Sequence, residues 1–181
     1  MSIETIPVSD IMVRNVKTAE ENQSVNSIAK VMSENNIGSV VILKSNEVEG
    51  LSGIISGIIT ERDIVRIAGA AQTSSSTTTL LQLTARDIMS KPVVTINAES
   101  SIQDAIQSMK LNNIRRLPVV NREGRMVGII ADKDIFRAII NSQSLAASIS
   151  ENVVIEYRPM YERLSEFVLG EMLLPGDSSH N

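Results

Sequence analysis

The stretch GIITERDI, residues 57–64, returns as GIIADKDI at residues 128–135, which is 71 positions later. An earlier segment is repeated as well, because shifting residues 10–43 by 77 positions produces ten identical pairs. The change of offset falls between residues 44 and 56, where Ser, Asn and Gly residues indicate a longer hairpin loop in the first copy. Self-similarity at a nearly fixed spacing is the signature of a repeated structural unit. The sequence therefore predicts one unit used twice.

Each copy has the same order of strand and helix patterns. Short β-branched runs come first, at residues 16–18 and 93–96. Ser24 and Ser101 then precede apolar residues spaced i, i+3, i+4 and i+7, which is typical of a capped surface helix. Two strands and a second helix follow, so we predict an α/β fold with the order β-α-β-β-α in each copy. Pro118, inside a predicted strand, indicates an edge strand or a strand start because proline has no N–H.

The two copies are separated by seven consecutive hydroxyl residues at positions 73–79. Such a segment is typical of a flexible linker, and a phosphorylated regulatory loop is the alternative. The predicted boundaries are a first unit at 1–72, a Ser/Thr-rich linker at 73–84, a second unit at 85–140 and a C-terminal extension at 141–181.

The C-terminal extension differs from the body in charge. Residues 1–140 contain 15 basic and 15 acidic side chains, whereas residues 141–181 contain 2 and 6. Pro159 and Gly170 flank an amphipathic stretch, which predicts a helix. This helix either folds back on its own core or forms an interface with a protein partner through residues 151–181, and both remain open.

Composition excludes several classes of function. The chain has no cysteine, which removes disulfide scaffolds, thiolate metal sites and cysteine nucleophiles. Its one histidine, His180, is next to the C-terminus, where a solvated side chain is the ordinary situation. We therefore predict no enzyme, no catalytic residue, no catalytic cofactor and no metal site. A body without net charge, in a chain with four aromatic residues, also predicts no nucleic-acid partner.

The expected location follows from the N-terminus and the apolar runs. Residues 1–10 include Glu4 and have no basic segment leading into an apolar one, so they do not predict a signal peptide. The apolar runs are much shorter than the thickness of a bilayer requires. We expect a cytoplasmic protein with no membrane partner.

The motifs taken together resemble the cystathionine-β-synthase (CBS) domain family. They are Asp-Ile-Met before the first strand, Asn-Asn-Ile, Arg-Arg-Leu-Pro-Val-Val, and Thr/Ala-x-x-Asp after Gly-Ile-Ile, and they extend over residues 6–140. Two such motifs in tandem look like a CBS pair, also called a Bateman module. The resemblance implies a regulatory module that binds AMP, ADP, ATP or S-adenosylmethionine in two clefts related by a pseudo-twofold axis. It also implies a homodimer.

The resemblance assigns the first cleft residue by residue. Asp63 and, in the reciprocal cleft, Asp134 would accept hydrogen bonds from the ribose hydroxyls, because a carboxylate has two acceptor oxygens. Thr60, at a helix N-terminus, would offer its hydroxyl to phosphate. The phosphate side would be completed from the second copy by Arg115, Arg116 and Lys133.

The resemblance predicts a weaker second cleft. Ala131 stands where the first copy has a threonine, and Gly38-Ser39 stand where the second copy has its arginine pair. Loss of these donors removes charge-assisted contacts with phosphate. The residues assigned to this cleft are Gly38, Ser39, Arg62 and Ala131, beside Asp134. The residues expected near the adenine ring of the two clefts are Thr18, Ile37, Thr95 and Ile114.

Each of these residues also has an ordinary structural interpretation. An aspartate in the first turn of a helix is favoured by the helix dipole without any ligand, and Thr60 could be a simple N-cap. Arg115 and Arg116 could be a solvated loop pair or form salt bridges across a dimer. The alternative function is accordingly a ligand-free CBS module that dimerises or binds another protein.

Overall fold

The computed structural model describes residues 6–44, 53–73 and 82–141. The predicted amphipathic helix of the C-terminal extension and most of the predicted linker lie outside the described residues.

The element order confirms the predicted α/β repeat. The first unit contains β1 (Thr18–Glu20), α1 (Val25–Glu34), β2 (Ser39–Leu43), β3 (Ile55–Thr60) and α2 (Glu61–Thr73), after a 3-10 turn at Val8–Asp10. The second unit contains a short helix α3 (Ala85–Ile88), followed by β4 (Ile96–Asn97), α4 (Ile102–Leu111), β5 (Arg116–Val120), β6 (Met126–Ala131) and α5 (Asp132–Asn141). The first strand begins two residues later than the β-branched run predicts in the first unit and three residues later in the second.

Each unit forms a three-stranded sheet with its second strand in the middle, in the orders β1-β2-β3 and β4-β5-β6. The first two strands are parallel and the last two antiparallel in both sheets. The register shifts between Ile42 and Leu43 in one sheet and between Val119 and Val120 in the other, which are equivalent positions of the repeat. The duplication therefore extends to the strand irregularities.

Pro118 corrects one expectation. It lies inside β5, the central strand of its sheet, so an edge position or strand start was wrong. In the first unit Thr18 pairs with Val41, but pairing of β4 with β5 begins one position later, at Ile96 and Val119. Because β4 does not yet pair with β5 at Pro118, a residue without an N–H is tolerated at this position.

The predicted helix N-caps are present. The Ser24 hydroxyl accepts a hydrogen bond from the Ser27 N–H at 3.2 Å. Ser101 forms a full capping box, since its hydroxyl accepts from the Asp104 N–H at 3.1 Å and the Asp104 carboxylate accepts from the Ser101 N–H at 3.0 Å. Both helices therefore start at the positions that the sequence predicts.

The two hydrophobic cores exchange segments. Met12, which precedes the first strand of the first unit, packs on the second core, and Met89 packs on the first core. Gly128 in β6 and Gly57 in β3 make room for these side chains, because a Cβ at either glycine would collide with the methionine. The exchanged segments are also joined to the opposite sheets by bridges between Val13 and Ile129 and between Ser90 and Ile58. These bridges and the packed methionines link the two units into one structure.

No helix in the described part of the chain is long and apolar enough to cross a bilayer.

Candidate functional site

A cavity of about 440 Å³ lies where the two units meet, a volume within the range of small-molecule sites. Its walls come from the β3–α2 junction of the first unit, the segment before β4, and the start of β5. The lining residues are Ile58, Thr60, Glu61, Arg62, Asp63, Ser90, Pro92, Val93, Val94, Asn113, Ile114, Arg115, Arg116 and Pro118.

The β3–α2 junction places Asp63 in the wall with its hydrogen bonds already made. Asp63 is 7% exposed, and it is the one buried charged side chain among the described residues. Its Oδ2 accepts from the Thr60 N–H at 2.9 Å and from the Thr60 hydroxyl at 2.7 Å, and its Oδ1 accepts from Arg66 Nη2 at 3.3 Å. A carboxylate offers about four lone-pair positions. Asp63 therefore keeps acceptor capacity for an incoming hydroxyl, mainly at Oδ1.

The Thr60 hydroxyl is arranged differently from the expectation. Its proton is donated to Asp63 Oδ2, so the side chain presents lone pairs, and not a proton, to the cavity. As the structure stands, Thr60 holds Asp63 in place instead of donating to a phosphate. The other donors of this junction are the first-turn N–H groups of α2 after Glu61, whose own N–H donates to the Gly38 carbonyl.

The start of β5 contributes two arginines to the same cavity. Among residues 6–44, 53–73 and 82–141, neither the Arg115 nor the Arg116 guanidinium has an ion pair or a side-chain hydrogen bond. The loop that carries them is fixed by the backbone, because the Arg115 carbonyl accepts from the Asp132 N–H at 3.0 Å. Two uncommitted guanidinium groups opposite a buried carboxylate suit an anionic group at one end of a ligand.

Gly38, predicted for the second cleft, makes room for Arg116. The position that a Gly38 Cβ would occupy overlaps the Arg116 guanidinium and lies 2.9 Å from Glu61 Oε2. Any side chain at position 38 would have to displace one of these two groups. The absence of a side chain at this position therefore lets Arg116 approach the first unit, on the side of the cavity where Glu61 lies.

Some of the other predicted residues line this cavity and some do not. Arg62, predicted for the second cleft, lines this cavity, and so does Ile114, predicted near the adenine ring. Lys133, predicted for the phosphate side here, is exposed at the start of α5 and is not part of the lining. The predicted residues outside this lining are Thr18, Ile37, Gly38, Ser39, Thr95, Ala131, Lys133 and Asp134.

Asp134 has fewer partners than Asp63. Its Oδ2 accepts from the Ala131 N–H at 3.0 Å, and Ala131 supplies no hydroxyl. Asp134 is also partly exposed, in contrast to buried Asp63. We call the hydrogen bonds from the backbone N–H and the hydroxyl of Thr60 to Asp63 the cap of this junction. The second copy retains the backbone bond of the cap and lacks the side-chain bond.

Sequence reasoning missed the wall formed by Ser90, Pro92, Val93 and Val94. These residues reach the cavity because the segment before β4 packs on the first unit, where Ser90 and Ile58 exchange backbone hydrogen bonds of 2.9 and 3.2 Å. The one available signal is the second Asp-Ile-Met, at residues 87–89, which directly precedes this segment.

A family model for the CBS domain matches residues 8–69 and 85–141, which together make up more than half of the chain. The chain belongs to the CBS domain family. The two matched segments coincide with the two units of the fold, so the protein is a CBS domain pair and the resemblance inferred from the sequence is confirmed.

Relatives support the same assignment. A protein of Methanopyrus kandleri is 34% identical over 151 residues, covering 83% of this chain and 70% of that protein. CBS domain-containing protein YhcV of Bacillus subtilis is 29% identical over 143 residues, covering 79% and 92%. A homoserine O-acetyltransferase of Methanohalobium evestigatum is 30% identical over 132 residues, but these cover 24% of the enzyme. Its similarity to this chain thus concerns about a quarter of its length.

Solved structures share the fold. The CBS domain pair of protein MJ0100, in complex with 5′-methylthioadenosine and S-adenosyl-L-methionine, has a TM-score of 0.63 and 27% identity, covering 76% of this chain and 98% of that one. CBSX2 in complex with AMP has a TM-score of 0.62 at 20% identity, covering 75% and 96%.

Hypoxic Response Protein I, with two coordinated zinc ions, has a TM-score of 0.59 and 28% identity, covering 73% and 98%. Within the described ranges of this chain, no group of three or more His, Cys, Asp or Glu side chains is placed to hold a metal ion.

Proposed function

We propose that this CBS pair is a non-catalytic regulatory module that binds an adenine nucleotide in the cavity between its two units. The observation that carries the proposal is the convergence of buried Asp63 from one unit with Arg115 and Arg116 from the other around 440 Å³ of space. Asp63 would accept from a ribose hydroxyl, and the arginines would hold the phosphate. The apolar wall at Val93, Val94 and Ile114 would contact the adenine ring.

The charge of the cavity favours a phosphorylated ligand over S-adenosylmethionine. Three arginines line it, Arg62, Arg115 and Arg116, against two carboxylates, Glu61 and Asp63. An excess of positive charge attracts a phosphate and opposes a sulfonium group. The MJ0100 pair, whose solved complex contains S-adenosyl-L-methionine, makes that ligand the natural competitor in a test.

The second candidate function is a ligand-free interaction module. One observation favours it: Asp63 already accepts three hydrogen bonds, from Thr60 and Arg66, without any ligand. In either case we expect a homodimer. A protein partner bound through residues 151–181 stays a prediction, as does a cytoplasmic location.

The test is isothermal titration calorimetry of the whole chain with AMP, adenosine and S-adenosylmethionine, with ADP and ATP in parallel. We expect AMP to bind at one site per chain and more tightly than the other two probes. Each charge-assisted hydrogen bond to phosphate contributes about 1.5–3 kcal/mol, so the double variant Arg115→Gln/Arg116→Gln should lose roughly a hundredfold or more in AMP affinity and keep its affinity for adenosine.

Arg122→Gln is the matched control. Arg122 pairs with Glu99 at 2.8 Å on the surface and does not line the cavity, so this variant should bind AMP as the wild type does. Tighter binding of S-adenosylmethionine than of AMP would contradict the phosphate assignment. Absence of binding for all five compounds would favour the interaction module.

A further inference from the structure

One side-chain cluster near the cavity occurs in the first half of the repeat and not in the second. The Glu21 carboxylate, after β1, accepts hydrogen bonds from the Ser56 hydroxyl on β3 and from Arg86 Nε on α3, the latter at 3.0 Å. Glu21 is 20% exposed, whereas Arg86 is 66% exposed. We refer to Glu21, Ser56 and Arg86 as the clamp. It joins three elements that are distant in sequence.

The clamp is connected along the chain to two walls of the cavity. Ser56 is two residues before Ile58 and four before Thr60, both of which line the cavity. Arg86 is four residues before Ser90, the first residue of the wall that comes from the exchanged segment. Glu21 therefore ties the strand that leads to Asp63 to the segment that leads to the apolar wall.

The backbone connections of the same region are common to both halves and do not explain the clamp. Arg86 N–H donates to the Glu21 carbonyl at 2.9 Å, and at the equivalent place Ser9 N–H donates to the Ala98 carbonyl at 2.9 Å. The repeat thus supplies the backbone attachment twice. The side chains equivalent to Glu21, Ser56 and Arg86 are Ala98, Val127 and Ser9, so the side-chain connection exists once.

The half with the clamp is also the half with the complete cap, at Thr60 and Asp63, and with the two arginines facing it. In the other half, Ala98 and Val127 pack against the second hydrophobic core. We propose that Glu21 and Arg86 are positioning residues that hold the Ser90–Val94 wall against β3 and so set the affinity of the cavity for the nucleoside part of its ligand. This inference rests on the proposed function and extends it to residues outside the cavity.

The ionisation of Glu21 is consistent with this role. Hydrogen bonds from Ser56 and then from Arg86 lower the pKa of the Glu21 carboxyl below its usual value. The charged form is therefore the one that the clamp stabilises, and a neutral glutamine at position 21 would lose the charge-assisted part of both bonds.

The test compares Glu21→Gln with Glu99→Gln. Both substitutions remove the acid of a surface ion pair with arginine, but Glu99 and Arg122 do not connect to the cavity. The Glu99 pair is exposed and the arginine of the Glu21 pair is exposed, and ion pairs open to solvent contribute little to stability, so both variants should melt within about 2–4 °C of the wild type. We expect Glu21→Gln to weaken AMP and adenosine binding by the same factor, about tenfold, and Glu99→Gln to change neither.

Three further readouts separate positioning from a general structural effect. Arg86→Lys keeps a cation opposite Glu21 and should restore part of the affinity that Arg86→Gln loses. The double variant Glu21→Gln/Arg86→Gln should bind no more weakly than the weaker single variant, because both remove one connection. The backbone amide of Ser90 should exchange its hydrogen faster in Glu21→Gln, and at the wild-type rate in Glu99→Gln.

The outcomes distinguish this inference from the function on which it depends. If the wild type binds AMP and adenosine and Glu21→Gln binds both equally well, the positioning role is wrong and the nucleotide site stands. A loss confined to AMP would also contradict it, because the clamp would then act on the phosphate end. If the wild type binds neither compound, the proposed function fails and the role of the clamp fails with it.

Discussion

The first and second CBS units start their last helix with the same acid and different neighbours. Asp63 accepts from the backbone and the hydroxyl of Thr60 and is buried, whereas Asp134 accepts from the backbone of Ala131 and is partly exposed. Opposite Asp63 stand two arginines, and the equivalent residues of the first unit are Gly38 and Ser39. The scaffold is thus duplicated down to its strand irregularities, while the polar groups are not.

This difference shows how a duplicated fold can become asymmetric. The backbone of each junction is held by the same bonds, since Glu61 N–H donates to the Gly38 carbonyl at 3.3 Å and Asp132 N–H donates to the Arg115 carbonyl at 3.0 Å. Substitutions at a few side chains therefore change the chemistry of one cleft without altering the fold. The variants below test whether the two halves are as different as their contacts indicate.

The largest expected effect separates the two acids. Asp63→Asn keeps the shape of the side chain but replaces one acceptor oxygen by an NH2 donor. This group cannot accept a hydrogen bond from a ribose hydroxyl, and the charge that strengthens both ribose bonds is lost. At about 1.5–3 kcal/mol for a hydrogen bond to a charged group, AMP affinity should fall by a hundredfold or more. Asp134→Asn, the equivalent change outside this cavity, should leave binding at this site unchanged. Titration calorimetry measures both, and an equal loss in the two variants would remove the distinction between the halves.

The next effect concerns the packing of the exchanged methionines, which is common to both units. Gly57→Ala places a Cβ against Met89, and Gly128→Ala places one against Met12 and the Val13 carbonyl. The Met89 Cβ at Gly57 and the Val13 carbonyl at Gly128 cannot swing away as the end of a side chain can, so each variant should lose about 1–3 kcal/mol of unfolding free energy. Urea denaturation measures this. Wild-type stability in either variant would contradict the segment exchange at that glycine.

A smaller effect tests the side-chain half of the cap. Thr60→Ala turns the first junction into a copy of the second and should lower the free energy of unfolding by about 1 kcal/mol, because Asp63 loses a 2.7 Å hydrogen bond. Ala131→Thr is the reverse exchange and should raise it by less than about 1 kcal/mol, since Asp134 gains that donor. If Thr60→Ala is as stable as the wild type, the hydroxyl is not a structural partner of Asp63 and is available to a ligand.

The smallest effect is a pH dependence in the exchanged segments. Asp87 accepts from the Thr84 N–H at 2.8 Å and the Thr84 hydroxyl at 2.7 Å, and these bonds lower the pKa of Asp87 below its usual value of 3.8. A lowered pKa contributes stability above the unfolded value that is lost as the pH falls through the folded value. Asp87→Asn should therefore flatten the decline of the melting temperature below about pH 4.

The matched control for this pH dependence is Asp10→Asn. Pro7 stands at the position equivalent to Thr84 and has neither an N–H nor a hydroxyl to donate to Asp10. The melting temperature of Asp10→Asn should follow that of the wild type between pH 5 and pH 3. A flattened profile in this variant as well would show that the acid sensitivity does not arise from the Thr84 cap.

Most of the fold could be predicted from the sequence because its signals are local. The repeat, the β-α-β-β-α order and the caps at Ser24 and Ser101 depend on residues within one helical turn or one strand of each other. Asp63 and the threonine three residues earlier also interact locally, because the Thr60 N–H and hydroxyl both donate to the Asp63 carboxylate. Only the shared 71- and 77-residue offsets were needed to recognise that these local patterns occur twice.

The sequence by itself thus determined the repeated unit, its elements and the residue types of the candidate site. The tertiary structure decided which residues share the cavity, because that depends on the exchange of Met12 and Met89 between units, a contact between positions more than 30 residues apart. It also decided that Pro118 could stand in a central strand, since the neighbouring strand starts one residue late. The packing of these distant segments depends on the shapes of the glycines and methionines in contact. The hydrophobic pattern within either segment does not predict such a contact.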